Sequence, residues 1–123
     1  MTIKVGINGF GRMGRLAMRA AWDWDDVDFV RINDPAGDAA TLAHLMEFDS
    51  VHGRWNRPVQ TDGTEMIIDG KVIACTRASS IPEADFSDCD IVIEASGKMN
   101  KKALLEAYLE QGVRRVVVTA PVK

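Results

Sequence analysis

Residues 5–20 read VGINGFGRMGRLAMRA, and the glycine spacing within them suits a particular chemistry. Gly9, Gly11 and Gly14 form G-x-G-x-x-G between a strand-like apolar run and a helix-like run. In that setting the first glycine permits a tight turn. The second lets a pyrophosphate approach the main chain, and the third lets helix and strand pack closely. The first-turn amides of a helix lack intrahelical acceptors, and the helix dipole favours an anion beside them. Arg12 and Met13 stand where such amides are offered. The motif alone is weak, because glycine-rich turns occur in many loops. Its counterpart is an acidic residue about 20 positions on, at the end of the next strand. Asp34 stands 20 residues after Gly14. A carboxylate there accepts hydrogen bonds from both ribose hydroxyls of an adenosine and repels a 2′-phosphate, which favours NAD over NADP. An Asp before Pro35 is also a common turn-former. The register with strand, turn and helix gives the acid its functional meaning.

Other chemistry-bearing residues form weaker patterns. Cys75 and Cys89 make no C-x-x-C pair, and neither has a histidine nearby in sequence. They read as two reduced, ordinary thiols, which suits a cytoplasmic protein. His44 and His52 are eight apart without cysteine partners at metal spacing, so no metal is expected. Asp23 and Asp25 in WDWDDVD resemble the start of a calcium loop, but the glycine and the closing glutamate are missing. That segment reads as a solvated acidic turn. Lys98, Lys101, Lys102, Arg114 and Arg115 read as a solvated basic face without interleaved aromatics. Trp55 in VHGRW reads as a loop anchor.

Positioning these residues requires alternating strands and helices. Alternation marks a strand over 3–7, and Met13, Leu16, Ala17, Ala20 and Ala21 have helical spacing from Arg12 to about Trp22. Val27 to Ile32 reads as a strand stopped at Pro35. Asp38 is a candidate N-cap for a helix to about Phe48 bearing Leu42, Leu45 and Met46, and Val51 to Pro58 reads as irregular. Asp62-Gly63 and Asp69-Gly70 signal the tight turns of a small antiparallel ribbon. Asp90 to Glu94 reads as a buried strand. A helix over Lys101 to Gln111 follows, capped by Asn100 and stopped by Gly112. Arg115 to Thr119 reads as a second buried strand, followed by Pro121. This order implies an α/β fold, a doubly wound parallel sheet with a small antiparallel insert, in one domain over 1–123. The net charge of −3 gives no reason to expect nucleic acid. No apolar run spans a bilayer, and no charged start with an apolar core marks a signal peptide, so neither membrane association nor export is expected.

KVGINGFGRMGR, IND, EFDSVHGRW, IEASG and VVVTAP occur in the order and spacing of the N-terminal half of glyceraldehyde-3-phosphate dehydrogenase, which the chain resembles from Lys4 to Lys123. The resemblance implies the Rossmann NAD-binding fold with NAD as cofactor. It implies that Arg12 and Met13 hold the pyrophosphate and that Asp34 holds the adenosine ribose. Arg77 in CTRAS would lie beside the adenine, although the family has a more acidic, proline-containing run there. Ser96 and Gly97 would border the cofactor after the fourth strand, and Thr119 would lie near the nicotinamide. Isoleucine is usual where Met13 stands, and methionine is an apolar, pliant substitute.

The family oxidises a phosphorylated aldehyde through a cysteine thiolate, with hydride passing to NAD. That cysteine sits in an SCTTN motif absent from these residues. The resemblance therefore implies a cofactor-binding part, incomplete at its C-terminal end, that is not catalytically competent alone and has no catalytic residue. An aldehyde phosphate would be a partner only with the catalytic domain supplied. The resemblance also implies a homo-oligomer, and after Thr119 it implies a sheet edge that the remainder of the family's chain normally covers. SGKM, APVK and the Trp22/Trp24 pair resemble the branch found beside arsenate-resistance transporters. Erythrose-4-phosphate dehydrogenase and a stand-alone NAD-binding or regulatory module are the alternatives.

Overall fold

Glycine-rich turns, apolar strand runs and amphipathic helices alternate along the chain, and a computed structural model shows how they assemble. It describes residues 3–24, 26–35, 39–49, 53–54, 59–61, 64–78, 86–95 and 102–118. The elements are β1 (Ile3–Asn8), α1 (Arg12–Ala21), β2 (Val27–Asn33), α2 (Ala39–Glu47), β3 (Phe48–Asp49), β4 (Gly53–Arg54), β5 (Val59–Thr61), β6 (Glu65–Ile68), β7 (Lys71–Thr76), β8 (Ile91–Glu94), α3 (Lys102–Glu110) and β9 (Arg115–Val118). Among the described residues, no helix is long and apolar enough to cross a membrane.

Seven strands form one sheet in the order β5-β6-β7-β2-β1-β8-β9. The five from β7 to β9 run parallel, and β5 and β6 add antiparallel to the β7 edge. The chain builds outward from β1 through β2 to β7, then returns to place β8 on the other side of β1. In open α/β sheets such a reversal leaves a crevice at the carboxyl ends of the strands. This is the doubly wound, Rossmann arrangement. The antiparallel insert is not separate from the sheet: β7 pairs with β6 on one side and with β2 on the other. The β6–β7 turn is Asp69-Gly70, with φ of 53° and 78°, the two positive values that a two-residue primed turn requires.

Successive β1 side chains face opposite sides of the sheet. Val5 and Ile7 join a core with Met18, Trp22, Phe29, Ile32, Leu42, Met46 and the ribbon residues Met66, Ile68 and Ile73. The opposite face carries a smaller core of Phe86, Cys89, Val92, Tyr108 and Val113. On α1 the buried stripe is Gly14, Met18 and Trp22, rotated from the one expected, and Ala20 is exposed. Met18 and Trp22 bury far more apolar area than the alanines, and Trp22 stacks on Phe29 with ring centroids 6.2 Å apart. The Trp22 Nε1–H also donates to Asp69 Oδ2 at 2.7 Å, tying the ribbon turn to the end of α1. At the far end of the sheet, β9 is not buried as expected. Among the described residues it pairs only with β8, and Val117 is 53% exposed.

Helix α3 ends as its glycine predicts. Gly112 has φ of 94°; its N–H donates to Leu109 O and the Val113 N–H donates to Tyr108 O, both at 3.1 Å. This Schellman pattern satisfies the last carbonyls and packs Val113 near Tyr108. The expected caps Asp38 and Asn100, and the Asp62-Gly63 turn, lie outside the described residues. So do His52, Trp55, Lys98, Lys101 and Pro121.

Gly6 is needed for packing rather than for its dihedral freedom. A methyl group on it would stand 2.7 Å from Cys89 Sγ and 2.8 Å from Phe86 Cδ1. We predict that Gly6→Ala destabilises the fold by about 1–3 kcal/mol through overpacking. Urea unfolding measures this, and an unchanged midpoint would refute the contact.

Candidate cofactor site

The turn after β1 gives each glycine a distinct constraint. Gly9 has φ of 94°, a left-handed conformation that glycine adopts without strain. Its N–H donates to Asn33 O at 2.7 Å. A methyl group on Gly14 would overlap the Gly9 carbonyl oxygen and lie 3.1 Å from Ile7 Cγ2, so helix and strand meet too closely for any side chain. Gly11 is the opposite case: a methyl group there would meet nothing within 4 Å. The space above Gly11 is open to a ligand. Gly11 is also the N-cap of α1, so no capping side chain covers the first-turn amides, and no acidic residue stands in that turn. Arg12 and Met13 provide the first two helical residues. The turn is an uncapped, uncountered helix N-terminus with room above it, which suits a phosphate.

Asp34 follows β2 directly. Its Oδ2 accepts the Phe10 N–H at 2.9 Å, so the acid is anchored to the glycine turn. The Phe10 carbonyl accepts from Arg15 Nη1 at 2.9 Å, so the peptides on both sides of Phe10 are held. The Asp34 N–H donates to Thr76 O at 3.0 Å, which brings the end of β7 alongside. Arg77 is the next residue and is exposed. The structure thus brings Gly9, Gly11, the backbone of Arg12 and Met13, Gly14, Asp34 and the Arg77 segment to one end of the sheet. Ser96, Gly97 and Thr119 lie outside the described residues.

Sequence reasoning missed what lies beneath these loops. Thr76, Asn33, Asn8 and Glu94 are the last residues of β7, β2, β1 and β8, and each is the register partner of the next. Their side chains are linked in that order. Thr76 Oγ1 donates to Asn33 Oδ1 at 2.7 Å. Asn33 Nδ2 donates to Asn8 Oδ1 at 2.9 Å, and Asn8 Nδ2 donates to Glu94 Oε1 at 2.8 Å. The Tyr108 hydroxyl, from α3, lies 2.7 Å from Asn8 Nδ2 and donates to Glu94 Oε1 at 2.6 Å. Asn8, Asn33 and Tyr108 are fully buried, and Glu94 is 1% exposed. Burial raises the pKa of the Tyr108 phenol strongly, and Glu94 adds to the shift. The tyrosine therefore stays a hydroxyl donor. One signal was available in the sequence: four polar residues end four strands.

The two cysteines differ in their surroundings. Cys89 is buried, and its thiol is pushed up to about 12, first by burial and then by the adjacent Asp88. Cys75 is half-buried on β7. Among the described residues, no cluster of histidine, cysteine and acidic side chains could hold a metal.

Residues 3–102 match the family model described as glyceraldehyde 3-phosphate dehydrogenase, NAD binding domain. The chain belongs to this family. Similar proteins are glyceraldehyde-3-phosphate dehydrogenase 3 of Nostoc sp. strain PCC 7120, 49% identical over all of the chain, and the glyceraldehyde-3-phosphate dehydrogenase of Geobacillus stearothermophilus, 42% identical over the same span. A third, glyceraldehyde-3-phosphate dehydrogenase 1 of Candida glabrata, is 42% identical over 97% of the chain. The chain spans only 36–37% of the length of these relatives. It is therefore an NAD-binding domain of the glyceraldehyde-3-phosphate dehydrogenase family.

Two outcomes are expected. Gly14→Ala forces helix and strand apart and weakens NAD binding about tenfold or more, since a backbone shift displaces the phosphate amides; calorimetric titration measures it. Cys89 resists iodoacetamide at pH 8.5 in the folded chain and reacts once unfolded. The unfolded thiol ionises near pH 8.5, whereas the folded one stays protonated to about pH 12. Stability thus falls as pH rises between those values, because only the unfolded state gains the thiolate. Mass spectrometry of the labelled peptide reads the first effect.

Proposed function

We propose that this chain binds NAD through the turn at Gly9, Gly11 and Gly14, with the Arg12 and Met13 amides on the pyrophosphate. In this reading Asp34 holds the adenosine ribose, Arg77 lies beside the adenine, and Ser96, Gly97 and Thr119 complete the nicotinamide side. The observation that carries it is the Asp34 carboxylate fixed against the glycine turn by the Phe10 N–H at 2.9 Å. That bond sets the ribose acceptor relative to the phosphate donors before any ligand arrives, which reduces the cost of ordering the site on binding. The negative charge at this point disfavours a 2′-phosphate.

Bound NAD would supply a hydride acceptor; the residues of this chain would bind and orient it. The whole enzyme, by this proposal, oxidises a phosphorylated aldehyde with phosphate, using catalytic groups other than Cys75 and Cys89. The protonated, buried Cys89 and the 36–37% coverage of the relatives support that division. We assign the enzyme to the cytoplasm as a homo-oligomer. Both cysteines are free, which agrees with a reducing compartment.

Calorimetric titration tests the assignment. The chain should bind NAD more tightly than NADP. Asp34→Ala should cut that preference by roughly tenfold, the scale of lost hydrogen bonds to a charged group. It should also lower stability, because it leaves the Phe10 N–H without its carboxylate. Absence of heat with millimolar NAD, or an unchanged NAD-to-NADP ratio in the variant, would refute the role of Asp34.

A further inference from the structure

Asn33 uses its whole carboxamide. Its Nδ2 donates to Asn8 Oδ1 and to Ala78 O, both at 2.9 Å. Its Oδ1 accepts from Thr76 Oγ1 at 2.7 Å and from the Ala78 N–H at 2.8 Å. Two donors and two acceptor sites are all that an asparagine side chain has. Asn33 is fully buried, so it touches no ligand from solvent.

Three of these four bonds go to one short segment. Strand β7 ends at Thr76, and Ala78 lies two residues beyond it. There the Asn33 side chain takes the place of a neighbouring strand, bonding both the N–H and the carbonyl of Ala78. Thr76 is held from the same side, by its hydroxyl to Asn33 and by its carbonyl to the Asp34 N–H. Arg77 is thereby caught between two anchored, half-buried residues and is itself exposed. The next residue after Asn33 is Asp34. One buried side chain and its own main chain thus set both groups assigned above to the adenosine.

We infer that Asn33 is a positioning residue for the adenosine end of the cofactor, acting through the Thr76–Ala78 segment and Arg77 rather than by touching the ligand. The inference rests on the assignment of Asp34 and Arg77 to the adenosine in the proposed function. The opposite end of the polar row, at Glu94 and Tyr108, supports β8 and the switch-point side. The two ends are therefore separable in their effect on ligand fragments.

AMP is the probe, because it presents the adenosine and a single phosphate without nicotinamide. Its affinity is read by NMR titration of the 123-residue chain, beside urea unfolding of each variant. Asn33→Ala should weaken AMP about tenfold, the scale of a lost buried hydrogen-bonding group. Should that variant not fold, Thr76→Val decides: it deletes one hydroxyl donor, keeps a β-branched side chain, and should weaken AMP about threefold. Tyr108→Phe breaks the row at its other end. It should lower stability while leaving AMP affinity within about twofold, because it keeps all three bonds from Asn33 to Thr76 and Ala78. A folded Thr76→Val or Asn33→Ala chain with unchanged AMP affinity would overturn the inference while the NAD assignment stands. Equal AMP loss in Tyr108→Phe would overturn it too, by showing that the row acts only through overall stability. A wild-type chain that binds no AMP at millimolar concentration would remove the adenosine assignment itself, and the inference with it.

Discussion

Every buried polar side chain along the carboxyl ends of the central strands has to find a partner, and this requirement organises the site. An unmade bond at such a depth costs about 1–3 kcal/mol, and the row has three buried members, Asn33, Asn8 and Glu94, after the half-buried Thr76. They satisfy one another across the sheet, from Thr76 through Asn33 and Asn8 to Glu94, with Tyr108 closing the row from α3. Among the described residues, no buried side-chain nitrogen or oxygen lacks a partner. The main chain repeats the pattern one residue further on. Gly9, Asp34 and Ala95 each donate an N–H to the carbonyl of a row member on a neighbouring strand, namely Asn33, Thr76 and Asn8. The loops that bear the candidate site thus leave the sheet from a common, fully bonded line.

Packing on either side keeps that line in place. The Schellman end of α3 fixes the turn of helix that carries Tyr108, and Arg19 donates to the Met46 carbonyl through both Nε and Nη2, at 3.2 and 2.6 Å, clamping α1 to the end of α2. Cations are favourable beside a helix C-terminus, so that clamp gains from the dipole of α2. Glycines appear where the two layers approach most closely: Gly14 against the β1 turn, and Gly6 under Phe86 and Cys89. Gly11, by contrast, borders no protein atom that a side chain would strike. This difference separates the glycines required by packing from one with open space beside it among the described residues.

Much of this was legible in the sequence. The strand, turn, helix and acid register located β1, α1, β2 and Asp34, and the Asp-Gly turn and Gly112 stop were read from their residue types. The failures have physical reasons. The α1 face was misplaced because Gly14 carries no apolar side chain to mark the period, yet it begins the buried stripe that Met18 and Trp22 continue. Strand β7 was read only as a ribbon arm, since a sequence pattern reports one face at a time and this strand has a neighbour on each edge. The valine run of β9 was read as buried because its composition matches a central strand, but topology puts it at the sheet edge. The polar row was invisible because its members are far apart in sequence, Glu94 standing 86 positions after Asn8 and Asn33 standing 25 after it. Each looked like an ordinary polar strand end.

The row also runs in one sense only: hydroxyl to amide oxygen, amide nitrogen to amide oxygen, amide nitrogen to carboxylate. Turning Asn8 about would set oxygen against the Glu94 carboxylate and nitrogen against Asn33 Nδ2, and turning Asn33 about would set oxygen against Asn8 Oδ1 and nitrogen against the Ala78 N–H. An exchange of Asn33 for aspartate would do much the same, placing acceptors opposite the Asn8 and Ala78 oxygens. A single replacement at one strand end therefore leaves a mismatch that only a second replacement on the adjacent strand can mend. These four strand ends thus form a grammar in which words change only in pairs.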